Sequence, residues 1–208
     1  MYEFMTDLDD YFCEKYENYD KICALKGYKM PVMQATKRDE FGREVGYTLP
    51  KTEMRLALQE KKSDLLAALK AETWDKTFSF SFTPYSWTER ISQIFSANAF
   101  HKRLAQLMQT KKYTKDEVGE CLTIRKEIWD GVCNGKFAPT KNLVFSLAFA
   151  MQLNTEELNA LLWLIYQKID FSEVKDVVVY YLIEKGIYHA DKVRAALAEY
   201  RVENLFLA

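Results

Sequence analysis

YTKDEVGECLTIRKEIWDGVCNGK, residues 113–136, reads as two short helices joined by a tight turn. Thr114 suits the cap of the first, where its hydroxyl accepts from an N–H two or three residues on, and Asp116 and Glu117 suit the positive end of the helix dipole. Val118 and Leu122 form a short apolar stripe, and Gly119 leaves room for another helix to come close. The second helix carries Ile124, Ile128, Trp129 and Val132 and ends at Asn134-Gly135, with Gly135 as a left-handed cap. This is the layout of a helix-turn-helix at 114–135.

The chain around it, from Phe100 onward, reads as all helix. Leu104, Leu107 and Met108 stripe the helix before the motif. Thr140 caps the helix after it, which carries Leu143, Phe145, Leu147, Ala148 and Met151. Thr155-Glu156-Glu157 opens another helix through Leu158, Leu161 and Leu162. Ser172 caps a further helix that ends at Lys185-Gly186. The β-branched run at 177–179 would suit a strand, but the cap and the terminal Lys-Gly favour helix. A last helix spans about 190–200, and Leu205-Phe206-Leu207 is expected to fold back on the body.

The N-terminal part differs in pattern. Residues 6–25 place Leu8, Tyr11, Phe12, Tyr16 and Tyr19 at helical spacing behind Thr6 as a cap, and the interleaved carboxylates read as a solvated face. Residues 32–36 and 45–49 read as the strands of a hairpin with a charged loop. The stretch 53–72, rich in Leu, Ala, Glu and Lys, predicts a helix capped by Thr52 and laid across that hairpin. TFSFSFT at 77–83 alternates with period two, which predicts a third strand with its Phe face on the helix. Stacking of bases on those rings is the other use for such a ladder. Ser86 caps a short amphipathic helix with Trp87, Ile91, Ile94 and Phe95. The fold class is therefore α+β. A part at 1–96 holds a three-stranded antiparallel sheet and serves sensing or dimerisation. A helical part at 97–208 carries the motif and a two-helix C-terminal extension.

Composition narrows the function. The 208 residues are 49% hydrophobic and 14% aromatic, enough for a packed core, and the formal net charge is −1. No overall basic field draws the chain to nucleic acid. No run reaches the roughly 20 apolar residues of a membrane span, and the acidic start MYEFMTDLDD is unlike a signal peptide. A cytoplasmic protein with reduced thiols is expected. Cys13, Cys23, Cys121 and Cys133 form no CxxC pair, and His101 and His189 stand far from them, so no metal and no cofactor is expected. A Gly-rich phosphate loop, a nucleophile elbow and a Ser/His/Asp set are all missing, which argues against an enzyme.

Residues from Phe100 to about Leu162 resemble the Cro/C1-type, or XRE, helix-turn-helix family of bacterial and phage repressors. Thr114 to Leu122 stands where that family has its TQEELAEKL helix, and Ile124 to Gly135 stands where it has its recognition helix. Lys136-Phe137-Ala138-Pro139-Thr140 matches its KxxP connection, and 147–154 with Thr155-Glu156-Glu157-Leu158 match the helices that follow. The extension at 171–200 is similar to one found in bacterial proteins that carry such a module, an association with stress response or defence. The resemblance implies double-stranded DNA as partner, with contacts from Lys115, Arg125, Lys126, Lys136 and Lys141. Arg125 suits guanine O6 and N7, and Lys126 and Lys115 suit phosphates. Glu127 and Asp130 oppose a polyanion on the same face, which also carries Gly131. Arg125 stands where the family has a capping Ser, with Thr123 as a substitute cap. The second expectation is an interaction module, binding a protein partner or a second copy, that keeps the scaffold without reading DNA. A DNA reader gathers the five cations on one exposed surface, whereas an adaptor buries the second helix.

Overall fold

A computed structural model describes residues 3–17, 34–48, 59–73, 81–96, 99–203 and 205–208, with the side chains at 59–62 and 65 outside that set. Among the described residues there are ten helices and one two-stranded antiparallel sheet. In chain order the elements are α1 (Phe4–Lys15), β1 (Gln34–Arg38), β2 (Glu44–Thr48), α2 (Gln59–Glu72), α3 (Trp87–Phe95) and α4 (Phe100–Lys111). They continue as α5 (Lys115–Glu120), α6 (Lys126–Cys133), α7 (Lys141–Ala150), α8 (Thr155–Leu164), α9 (Val174–Glu184) and α10 (Ala190–Glu199).

The mixed α and β content agrees with the sequence reading, but the three-stranded sheet does not. Among the described residues β1 pairs only with β2, from Gln34 opposite Thr48 to Arg38 opposite Glu44. β1, described from Gln34, runs past the expected end at 36 through Lys37-Arg38, because the turn begins only at Asp39. Its carboxylate accepts from the N–H groups of Phe41 and Arg43 at 2.8 and 2.9 Å, and Gly42 takes φ +76°. Those donors hold the Asp39 carboxyl below its ordinary pKa. Residues 77–80 of the expected third strand lie outside the described set, as do 32–33 and 49 of the first two. Ser81 and Phe82, which are described, join no ladder. The chain just beyond instead lies along residues 136–138. Pro84 bridges Phe137, Ala138 N–H donates to Thr83 at 2.9 Å, and Tyr85 N–H donates to Lys136 at 2.9 Å. The Phe82 ring sits 5.4 Å from that of Phe206, so its apolar partner is the helical body.

Residues 53–58 of the expected helix lie outside the described set, and from residue 59 on α2 leaves the described hairpin residues exposed or half-buried. Leu66 and Leu69 of α2 are buried in one core with Leu8, Phe12 and Cys13 of α1 and with the helices after Phe100. That core is contiguous from α1 to Phe206. α1 begins at Phe4, before Thr6, and no side chain caps it. Two of its carboxylates also bind the helical body, the exposed Asp7 and the half-buried Asp9. Asp7 accepts from the Tyr181 hydroxyl at 2.9 Å, and Asp9 from the Tyr200 hydroxyl at 2.6 Å and from Lys70 at 3.1 Å. The hydrogen bond from Tyr181 is the main cause that holds Asp7 below its ordinary pKa. α1 is thereby fastened to α9 and α10, with the Phe12 ring tilted against that of Tyr200 at 4.8 Å between centroids.

In the helical part the expected caps are mostly present. Thr114 closes a capping box with Glu117 and Thr140 accepts from Leu143 N–H at 3.2 Å, whereas the helix expected to open at Thr155 is capped one residue earlier, where Asn154 closes a capping box with Glu157. The N-cap of α9 is Glu173 rather than the expected Ser172, whose N–H and hydroxyl donate to Asp170. The run at 177–179 is helical and fully buried. The C-terminus folds back as expected. Leu207 bridges Leu122, Thr123 N–H donates to Phe206 at 3.1 Å, and Phe206 N–H donates to the Ser146 hydroxyl at 2.9 Å.

Trp129 is 3% exposed and Val132 1%. Trp129→Ala is therefore expected to lower unfolding stability by roughly 3–5 kcal/mol, the range for a core aromatic. Denaturant titration of the full chain measures this, and a loss below 1 kcal/mol would contradict the packing described.

Candidate nucleic-acid interface

The site is built on α5, α6 and the five residues between them. Three glycines shape it, each by leaving room for a ring. A Cβ at Gly119 would lie 2.9 Å from the Trp129 indole, one at Gly131 2.3 Å from the Phe137 ring, and one at Gly135 2.8 Å from His101 Nδ1. The indole N–H of Trp129 donates to the Lys115 carbonyl at 2.9 Å, so the buried ring leaves no polar atom unsatisfied. Gly135 takes φ +64°, the left-handed conformation expected of the residue that ends the helix. Gly131 is buried beneath Phe137 and is not part of the outward face, contrary to expectation. No side chain caps α6. Its N-cap is Arg125, and Thr123 turns its N–H to the C-terminal tail.

The outward side of α6 carries Arg125, Lys126 and Glu127, all exposed, while Ile128 is half-buried and Trp129 and Val132 are buried. Lys115, at the start of α5, forms an ion pair with Asp130. That hydrogen bond holds the Asp130 carboxyl below its ordinary pKa, and the charges of Lys115, Lys126 and Lys136 act in the same direction. The same bond raises the pKa of Lys115. Lys115, Lys126 and Lys136 therefore surround one carboxylate. Lys136 is exposed. Lys141 stands apart from this group. It pairs with Asp176, a buried carboxylate that also accepts from Asp170 N–H at 2.7 Å, and its ammonium lies over the Phe145 ring. The structure thus groups Lys115, Lys126 and Lys136 around Asp130, leaves Arg125 open at the start of α6, and directs Lys141 into the contact between α7 and α9.

Among the described residues no group of three or more His, Cys, Asp or Glu is placed to hold a metal ion. Cys13 is buried, Cys121 exposed and Cys133 half-buried, and burial pushes the Cys133 thiol up to about 12. No helix among them is long and apolar enough to cross a membrane. No family model matches the chain, and neither a curated protein nor a solved structure is significantly similar to it.

Two expectations follow from the rings. Ala normally stabilises a helix interior over Gly by about 1 kcal/mol. Gly131→Ala is expected to destabilise the chain instead, and Phe137→Ala in the same chain to remove most of the Gly131→Ala penalty. Thermal or denaturant unfolding of the four species of that cycle decides it, and additive effects would show that the ring is not the cause. The second concerns His101, whose Nδ1 is buried without a hydrogen-bond partner among the described residues. Burial, and then the charge of Lys102, lower its pKa. The unfolded imidazole then takes up its proton first, so stability is full above about pH 6.5 and falls as pH drops toward the lowered folded value. His101→Asn is expected to lose less stability than the parent chain between pH 7.5 and 5.5; equal losses would refute this.

Proposed function

We propose that the chain is a helix-turn-helix DNA-binding regulator of the Cro/C1 type, with α6 as the helix that enters the major groove. The observation that carries this reading is the open side of α6. Its apolar side is buried against the body, whereas Arg125 at its N-cap and Lys126 in its first turn are exposed, as is Lys136 just past its end. In such a motif the first turns of the second helix meet base edges and phosphates. Arg125 is the residue for a bidentate contact to guanine. Lys126 and Lys136 are the residues for phosphates, and Lys115 joins them once DNA competes with Asp130 for its ammonium. The capping boxes, the buried indole and the resemblance of residues 100–162 to that family support the same reading.

A second reading, an interaction module that keeps the scaffold for a protein partner, is favoured by one observation. Lys115 and Lys141 already have carboxylate partners, and the chain has a net charge of −1. Less positive charge is then left for phosphates, which supply most non-specific affinity.

Binding of the full chain to selected and random duplexes over a salt series separates the two. Arg125→Ala is expected to weaken binding to a preferred site by roughly 1–3 kcal/mol and to relax specificity. Lys126→Ala is expected to weaken all sequences alike and to reduce the salt slope by about one unit. Asp130→Asn with Glu127→Gln is expected to strengthen non-specific binding, because Lys115 is released and two anions leave the face. If neither the parent chain nor that double variant binds duplex DNA at low salt, the interaction-module reading replaces this one.

A further inference from the structure

α3 is the one helix whose residues are all exposed or half-buried among those with described side chains. Its sequence, WTERISQIF, nevertheless carries a full apolar stripe. Trp87 is 76% exposed, Ile94 62% and Phe95 83%, with Ile91 half-buried between them. A helix of nine residues is marginal in water without packing on its apolar side. This one is held in place at both ends. Ser86 and Glu89 close a capping box, Tyr85 is tied to Lys136, and the Lys102 ammonium donates to the carbonyls of Ile94 and Ser96 at 2.7 and 2.9 Å. The stripe is therefore presented at a fixed place on the molecule, beside the end of α6, and the body leaves it uncovered.

We infer that α3 packs antiparallel against α3 of a second copy of this chain, about a two-fold axis passing beside Ile91. The spacing of the stripe carries the choice of occupant. Trp87 and Phe95 stand four residues before and four residues after Ile91, so these three positions read alike in both directions, while Ile94 comes opposite Thr88. A two-fold contact requires that self-complementarity. In this register Ile91 meets Ile91 of the second copy, and Trp87 meets its Phe95. Charge fits as well. Glu89 comes opposite Gln93 and Arg90 opposite Ser92, so no like charges face each other. Trp87, Ile94 and Phe95 alone offer on the order of 400 Å² of apolar surface per chain, given that a buried aromatic contributes about 150–250 Å². Doubled, and with the polar edges of both helices added, the contact reaches the roughly 1,000 Å² at which specific interfaces begin. Aromatic anchors at its centre are the residues that dominate such contacts. This inference goes beyond the DNA-binding proposal and does not depend on it, although a two-fold dimer would also carry two copies of α6.

The test is sedimentation of the full chain, without DNA, from low micromolar to submillimolar concentration. The parent chain is expected to move from 24.4 kDa toward twice that mass. Ile91→Arg and Ile91→Asp, each alone, set like charges against each other and are expected to remain at monomer mass, with unchanged circular dichroism and melting temperature. An equimolar mixture of the two is expected to dimerise again, because residue 91 of one chain meets residue 91 of the other. Arg125→Ala is expected to dimerise as the parent does, which keeps this result apart from the DNA-binding one. A parent chain that stays monomeric throughout overturns the inference and leaves the stripe to a different protein. Dimers that persist in both single variants, or a mixture that stays monomeric, overturn it as well, because the two-fold then does not lie at Ile91.

Discussion

The indole of Trp129 occupies the space that Gly119 leaves open and donates its N–H to the Lys115 carbonyl. The mutual placement of α5 and α6 depends on this contact. A side chain at Gly119 would push the ring out, and the two helices would lose both their shared apolar contact and the hydrogen bond between them. Gly131 with Phe137, and Gly135 with His101, repeat the device further along the chain. Glycine inside a helix costs about 1 kcal/mol against alanine. Burial of a large ring contributes roughly 1.5–3 kcal/mol, so the exchange favours the packed arrangement.

The helix pair is also held from outside. The C-terminal tail pairs with the turn between α5 and α6 through Leu122, Thr123 and Cys121, and residues 83–85 pair with the exit from α6 through residues 136–138. Both straps come from distant sequence. Each satisfies backbone groups that helices cannot satisfy at their ends. Ser146, buried in α7, anchors the tail in turn by accepting from Phe206 N–H. Both straps thus fix the backbone from which the exposed side chains of Arg125 and Lys126 project.

Charge pairing sets the other limit on the site. Lys115 and Lys141 would add to a positive face if they were free, yet each lies against a carboxylate. The Lys141 pair lies on a buried Asp176 that also takes the Asp170 N–H, so it belongs to the junction of α7 and α9. The Lys115 pair is at the surface, where exchange for another anion costs little. The two lysines therefore differ in what a polyanion can recruit, although they look alike in sequence.

Local signals were legible in the residues themselves. The caps at Thr114 and Thr140, the left-handed Gly135, the helices at 141–150 and 155–164, and the burial of Trp129 all follow from spacing and cap chemistry. Those effects act within a few residues, so sequence carries them. Arg125 and Lys126 could be placed on an open face for the same reason. The alternation around Phe82 signalled an apolar side but not its partner, since period two says nothing of which distant surface receives it. The two-stranded sheet, the insertion of α2 into the helical core and the use of Asp7 and Asp9 as acceptors for Tyr181 and Tyr200 were likewise decided in three dimensions. So were the partners of Lys115 and Lys141, because a charge finds its counter-ion by proximity in the folded chain, and residues 141 and 176 become neighbours only when α7 meets α9.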